Sequence, residues 1–318
     1  MKQTILAQPL VSVITPSYYS KYLFHAIDSV LMQSYSKIQY IISDDGTSDF
    51  LVSKVREYVD ENSRENIVEC LILHEQENRG TVRNLNKALA YAKGAYVILL
   101  AGDDLFYDAH VIKNWIDYFQ QTNYLFATSY RAVYNEEMDQ YIETLPCEKQ
   151  VKKIKEGSTI ELFESLAYKN FIFGCSTAYT RKFWDLFGGF DESYRLIDDY
   201  PMVLRALREN IQIGFMDKIT IKYRTGGVSF PNNYSTKYKK DTELIYKKEI
   251  LPYSKKPMIH WIALVYWQWN QKNTQSFLKG YQFCKSFPVF WVLLGIRHPL
   301  RAIKKIKRRI LREELTCR

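Results

Sequence analysis

No run of apolar residues in this sequence is long enough to span a bilayer. The longest, Phe287–Ile296, falls well short of the roughly 20 residues a membrane-crossing helix needs. The first residues, MKQTILAQPLVSVITPS, lack the cationic start and small-residue cleavage site of a secretory leader, and their apolar part has strand length. A chain that neither crosses a membrane nor leaves the cell by a visible route is therefore expected. Cysteine is scarce too. The five present (Cys70, Cys147, Cys175, Cys284, Cys317) are scattered, form no C-x-x-C pair and have no histidine at metal-ligand spacing, which argues against a zinc site. They read as reduced, cytosolic thiols. No internal repeat is evident. The net charge of +9 suggests a nucleic-acid binder until it is located. Residues 297–318 hold nine Lys and Arg against Glu313 and Glu314, so seven of the nine charges lie in that tail. The nearly neutral remainder argues against a groove that tracks a phosphate backbone, and no nucleic-acid partner is expected.

What is present is an ordinary globular composition in 318 residues, 47% hydrophobic and 25% charged, enough for one large domain plus an appendage. Aromatics are abundant at 15%. They suit a surface that stacks on sugar or nucleotide rings or sits among lipid headgroups, and equally an aromatic-rich core.

The first half alternates strands and helices. Val11–Thr15, Tyr40–Ser43, Ile67–Leu73 and Tyr96–Leu100 are strand-like runs. Between the first two, Leu23, Ala26, Ile27, Val30 and Leu31 repeat at helical spacing, and Val82, Leu85, Leu89 and Ala92 do the same later. This order predicts a parallel sheet with helices on both faces. Ligands of such sheets bind at the carboxyl ends of the strands, where Thr15-Pro16-Ser17-Tyr18, Asp44-Asp45-Gly46 and Gly102-Asp103-Asp104 all fall. Further on, Glu148–Gly157 reads as an exposed charged loop or lid, Thr159–Tyr168 as a helix, Ser176–Thr180 as a strand, Leu196–Glu209 as a helix and Ile219–Ser229 as a strand and turn. Beyond about 235 the texture becomes helical and rich in Lys, Tyr and Trp, which sets a boundary there.

Each polar cluster has a functional and a structural reading. Asp103-Asp104 ends a buried strand, where a hard divalent cation binds through one or two carboxylates plus substrate phosphates, yet Gly-Asp-Asp is also turn chemistry. Asp44-Asp45-Gly46-Thr47-Ser48 suits a base and ribose contact or a helix cap. Asn78-Arg79-Gly80-Thr81-Val82-Arg83-Asn84 puts two arginines around a helix start, where backbone N–H groups and cations meet a diphosphate or form a solvated cap. Asp198-Asp199-Tyr200 opens a helix, where an acid also complements the dipole.

Their order resembles the family 2 glycosyltransferases, whose catalytic domain has the GT-A fold. The motifs are Val11–Tyr18, Ile42–Asp49, Asn78-Arg79-Gly80 with Arg83-Asn84, Leu99–Asp104, Phe187–Glu192 and Ile197–Tyr200. They span about residues 10–230. The resemblance implies an α/β, Rossmann-like, mostly parallel central sheet flanked by helices. It also implies Mg²⁺ or Mn²⁺ as cofactor and a nucleotide-diphosphate sugar, with UDP expected, as donor. Thr15, Pro16, Tyr18, Asp45, Arg83 and Asp103 then correspond to donor contacts, Asp104 to the metal ligand and Asp199 to the general base. Asp191 and Asp198 lie on the acceptor side, with Asp198 positioning the base or capping its helix. Two departures stand out: position 101 is Ala where many relatives carry the first acid of Asp-x-Asp, and position 198 is Asp rather than Glu. The Gln-x-x-Arg-Trp motif of processive relatives is absent, which favours transfer of a single sugar.

A metal and one general base permit direct displacement with inversion at the anomeric carbon. The expected domains are 1–235, catalytic, and 236–318, a helical basic extension. In Leu300–Leu311 the residues Leu300, Ile303, Ile306 and Ile310 form an apolar stripe on a basic helix, as in helices drawn to anionic membrane; residues 297–312 are the expected contact. A solvated helix packed on the catalytic domain and a nucleic-acid tail are the competing readings. The expectation is an enzyme peripheral on the inner face of the cell membrane, acting on a lipid-linked saccharide for surface polysaccharide. A sugar nucleotidyltransferase would need a glycine-rich basic loop after its first strand, and Thr15–Ser20 has neither glycine nor a basic residue. An inactive relative serving as a binding protein is the other alternative.

Overall fold

The computed structural model describes residues 8–227, 235–256 and 259. The chain divides into two compact units, Met1–Ile259 and His260–Arg318. The second lies outside the described residues, and with it the apolar run Phe287–Ile296 and the expected basic helix around 297–312.

The opening alternation is β1 (Val11–Ser17), α1 (Leu23–Leu31), β2 (Ile38–Asp44), α2 (Val52–Asn62), β3 (Ile67–His74), α3 (Thr81–Tyr91) and β4 (Tyr96–Leu99). All four strands pair in parallel, β3 to β2 to β1 to β4. Successive residues of a strand point to opposite faces, and here both faces are packed. Val11, Val13, Tyr40, Ile42 and Ile98 join a core with α1 and α2, whereas Ile14, Ile41, Val97 and Leu99 join one with α3. That double burial explains why these strands read as unbroken apolar runs rather than alternating ones.

The second half is β5 (Leu105–Phe106), α4 (Val111–Gln121), β6 (Phe126–Tyr134), β7 (Tyr141–Leu145), α5 (Glu148–Glu156), α6 (Thr159–Tyr168), β8 (Thr177–Thr180), α7 (Arg181–Phe187), α8 (Asp199–Arg208), β9 (Gly214–Arg224) and α9 (Thr236–Ile245). It turns the sheet mixed. The strand order is β3-β2-β1-β4-β8-β6-β9-β5, with β7 beside β6. β8 runs antiparallel to both neighbours, whereas β6 and β9 are parallel. The α/β sheet with flanking helices is as the sequence predicts, but its parallel half ends at β4.

Three expectations change. Glu148–Gly157 is the helix α5 rather than a loop or lid, because Val151 and Ile154 lie three apart on one face and are buried in the core. The helix expected from Leu196 starts at Asp199. The backbone N–H groups of Arg195, Leu196 and Ile197 instead donate to the buried Asp241 of α9, at 2.9, 2.6 and 3.1 Å. Finally, the packing of the first unit does not stop near 235. Ile245, Ile250 and Ile259 belong to the α3-side core, and Arg208 of α8 pairs with Glu249 at 2.6 Å. Cys70 and Cys175 are free thiols.

Candidate functional site

Three strand ends are tied together at one edge of the sheet. Asp45 N–H donates to Ser17 O at 2.9 Å, Gly102 N–H to Pro16 O at 3.0 Å, and Ser20 Oγ to Gly102 O at 2.7 Å. The sequence clusters after β1, β2 and β4 therefore do converge.

Asp45, 3% exposed, organises the donor-side loop. Its two carboxylate oxygens accept the backbone N–H groups of Arg79 and Gly80, both at 2.8 Å. Burial pushes its pKa up, offset by those two bonds. Val82 N–H goes to Arg195 O and Asn84 N–H to Gly80 O. The start of α3, read from sequence as a site where backbone N–H groups meet a diphosphate, therefore has these donors engaged within the protein. Gly80 has φ +99, and a Cβ there would lie 2.5 Å from Arg195 Cγ and O, so only glycine fits.

Thr15 is fully buried with its hydroxyl 3.1 Å from that of Tyr40, inside the sheet rather than facing the crevice. Tyr18 is 50% exposed. It lines a cleft of about 670 Å³ with Asn78, Arg195, Leu196, Gly226 and Gly227. Arg83 is exposed on α3, its Nε 3.4 Å from Glu192.

Asp104 is 1% exposed and accepts Arg224 N–H at 2.9 Å. Burial pushes its carboxyl well above the usual range, the adjacent Asp103 adds to the shift, and Arg131 and Arg224 oppose it. Asp103 is raised as well, by burial first. Arg224 Nε also donates to Asp103 O at 2.8 Å. The end of β9 thus braces the acidic turn. Two crowded carboxylates disfavour their own ionisation, and a divalent cation would relieve that cost. Among the described residues no group of three or more metal-ligating side chains exists. The two adjacent carboxylates are oxygen donors of the kind a hard cation takes together with phosphate oxygens and water.

Asp199 opens α8 with both oxygens held: Oδ2 accepts Gly174 N–H at 2.6 Å and Oδ1 accepts Tyr200 N–H at 2.7 Å. Burial raises its pKa, against those bonds and Arg131. Asp198 is raised by burial and then by the Asp199 charge, and it caps α8 with no side-chain hydrogen bond, so the expected helix-capping role is not made. A carboxylate kept oriented with its pKa raised is a stronger base than an ordinary one. Gly174 is needed here, since a Cβ would come 2.8 Å from Asp199 Cβ. Asp191 is drawn into an ion pair with Lys248 and accepts Ser193 N–H at 2.9 Å. Burial alone would raise its pKa, but these partners bring it below the usual value.

Sequence reasoning missed Arg131, Gly174, Arg195, Arg224 and Asp241. Arg195 joins the two halves of the site, since its Nη2 donates to Asn78 O and Oδ1 at 2.7 and 2.8 Å while its backbone is held by Asp241. No local pattern marks these positions. Their partners lie tens of residues away.

With this geometry the comparisons are consistent. The family described as Glycosyl transferase family 2 matches residues 12–187. An uncharacterized glycosyltransferase of Rickettsia prowazekii is 31% identical over 70% of this chain and 66% of its own, so the chain spans just under two thirds of that relative. The UDP-Glc:alpha-D-GlcNAc-diphosphoundecaprenol beta-1,3-glucosyltransferase WfgD of Escherichia coli is 34% identical over 30% of this chain and 36% of its own. Among solved structures, the mannosyltransferase PcManGT of Pyrobaculum calidifontis, in complex with GDP-Man and Mn²⁺, superposes with a TM-score of 0.57 at 17% identity, over 82% of this chain and 70% of its own. That likeness is one of fold.

Proposed function

We propose that this chain, which belongs to glycosyl transferase family 2, moves a single sugar from a nucleotide-diphosphate sugar to a saccharide hydroxyl, with inversion at the anomeric carbon. The observation that carries the reading is the meeting of the Asp45, Asp103-Asp104 and Tyr18 segments at one sheet edge, in a unit that also presents the oriented carboxylate of Asp199.

Tyr18 offers an exposed ring beside the cleft for a nucleotide base. Asp45 acts indirectly, holding the Arg79-Gly80 loop, and Asp103 faces the ribose side. Asp104 with Asp103 would hold Mg²⁺ or Mn²⁺, which supplies charge neutralisation to a departing diphosphate. Asp199 takes the proton of the acceptor hydroxyl as its oxygen attacks the anomeric carbon, and the nucleoside diphosphate leaves from the opposite face.

A UDP-sugar donor and a lipid-linked acceptor for surface polysaccharide are supported by the name of WfgD and by the basic tail, which suits an anionic membrane surface. Among the described residues no helix is long and apolar enough to cross a membrane. The test is a panel of nucleotide-sugars incubated with purified protein, with and without Mn²⁺, and nucleotide release measured. Metal-stimulated release from one donor supports the reading, and release from none refutes it.

A further inference from the structure

Arg131 sits on β6, opposite Ile221 of β9 and Leu145 of β7. Its guanidinium carbon lies 3.5 Å from the centre of the Phe173 ring and 4.1 Å from that of Tyr223, so the planar fork is gripped between two aromatic rings. Stacking of this kind leaves only the edge of the fork for hydrogen bonds. That edge is nearly unused. Among the described residues its one hydrogen bond is a weak contact to Cys175 Sγ at 3.6 Å, and its Nε is buried with no partner. No carboxylate lies within ion-pair distance of it among those residues. A buried guanidinium donor without an acceptor carries a desolvation cost that protein contacts here do not offset.

The two rings locate it. Phe173 precedes Gly174, whose N–H holds Asp199, and Tyr223 precedes Arg224, whose N–H holds Asp104. Arg131 therefore lies between the acid on the diphosphate side and the acid on the acceptor side. In a direct displacement the group that occupies the space between leaving diphosphate and incoming hydroxyl is the transferred sugar.

We propose that Arg131 binds the transferred sugar, its guanidinium edge donating to a pair of neighbouring oxygens on that sugar. The inference rests on the nucleotide-sugar reading above and deepens it. A rigid planar fork matches two oxygens set side by side, whether vicinal hydroxyls or the carboxylate of a uronic acid.

Calorimetry on the full chain with Mn²⁺ separates the possibilities, comparing wild type, Arg131→Met and Arg131→Lys against UDP, UDP-glucose, UDP-N-acetylglucosamine, UDP-galactose and UDP-glucuronate. UDP affinity should stay within about twofold in both variants, whereas the preferred UDP-sugar should lose about tenfold or more in Arg131→Met. A loss confined to UDP-glucuronate, partly restored by Lys, identifies a carboxylate. A loss on a neutral sugar that Lys does not restore identifies hydroxyls. Thermal melting checks that each variant folds, and Arg131→Lys keeps the charge if the Met variant does not. Equal losses for UDP and UDP-sugars would overturn the proposal by placing the contact on the nucleotide, and unchanged affinities would reduce Arg131 to packing. A wild type that binds none of the five compounds would overturn the UDP-sugar reading itself.

Discussion

Replacing Asp241 with Ala should destabilise the first unit by about 3 kcal/mol, a large effect for a residue beyond the segment that the family match covers. One oxygen, Oδ2, accepts three backbone N–H groups, those of Arg195, Leu196 and Ile197, and the side chain is buried. Hydrogen bonds to a charged acceptor contribute roughly 1.5–3 kcal/mol net. Three donors sharing one oxygen do not add independently, while removing it leaves up to three donors short of a partner at about 1–3 kcal/mol each before water enters. About 3 kcal/mol is the conservative outcome. Asp241→Asn keeps an acceptor and should cost about half as much. Chemical denaturation gives the free energies. Amide exchange at 195–197 gives the local opening, which should quicken in Asp241→Ala more than at the centre of β1. A loss below about 1 kcal/mol with those amides still protected would refute the reasoning.

Asp104→Asn keeps an acceptor for Arg224 N–H but loses charge, so Mn²⁺-dependent UDP affinity should fall about tenfold, some 1.4 kcal/mol, with melting nearly unchanged; unaltered calorimetry would remove Asp104 from the metal. In Gly174→Ala the new Cβ meets Asp199, which should cost about 1–3 kcal/mol and slow transfer more than it weakens donor binding; wild-type transfer would show that the contact does not position the base. Truncation before Arg297 should abolish sedimentation with anionic vesicles and spare donor hydrolysis, and binding by the full chain should weaken with salt. Full-length protein that ignores such vesicles at low salt would end the membrane reading.

Much of the parallel half of the sheet was legible because β1, β2 and β4 are buried on both faces and read as apolar runs, while α1 and α3 carry clean helical spacing. The clusters at their ends were legible because β-α-β order sends them to one edge. The mixed half was not. β6 pairs with β8, β9 and β7, contacts between segments far apart in sequence. In α5 only two apolar residues mark the buried face amid charge. The side chains that brace the site were hidden for the same reason, since Arg131, Arg224 and Asp241 act through hydrogen-bond partners 44 to 121 residues away. Thr15 shows the converse: a motif position read as a ligand contact has its hydroxyl turned to Tyr40.

The most direct measurement is acceptor-dependent sugar transfer beside donor binding in Asp199→Asn and Asp198→Asn. Asn is close in shape to Asp but cannot take a proton, so Asp199→Asn should lower turnover by on the order of a hundredfold or more, with donor affinity within a few-fold of wild type. Asp198→Asn should cost less. In the wild type, Asp199 must be ionised to act, and burial raises its pKa. Transfer should therefore fall as pH drops through a value above the ordinary carboxylate range, and that acidic limb should vanish with the Asp199 charge. Transfer by Asp199→Asn at the wild-type rate would contradict the account and move the base elsewhere.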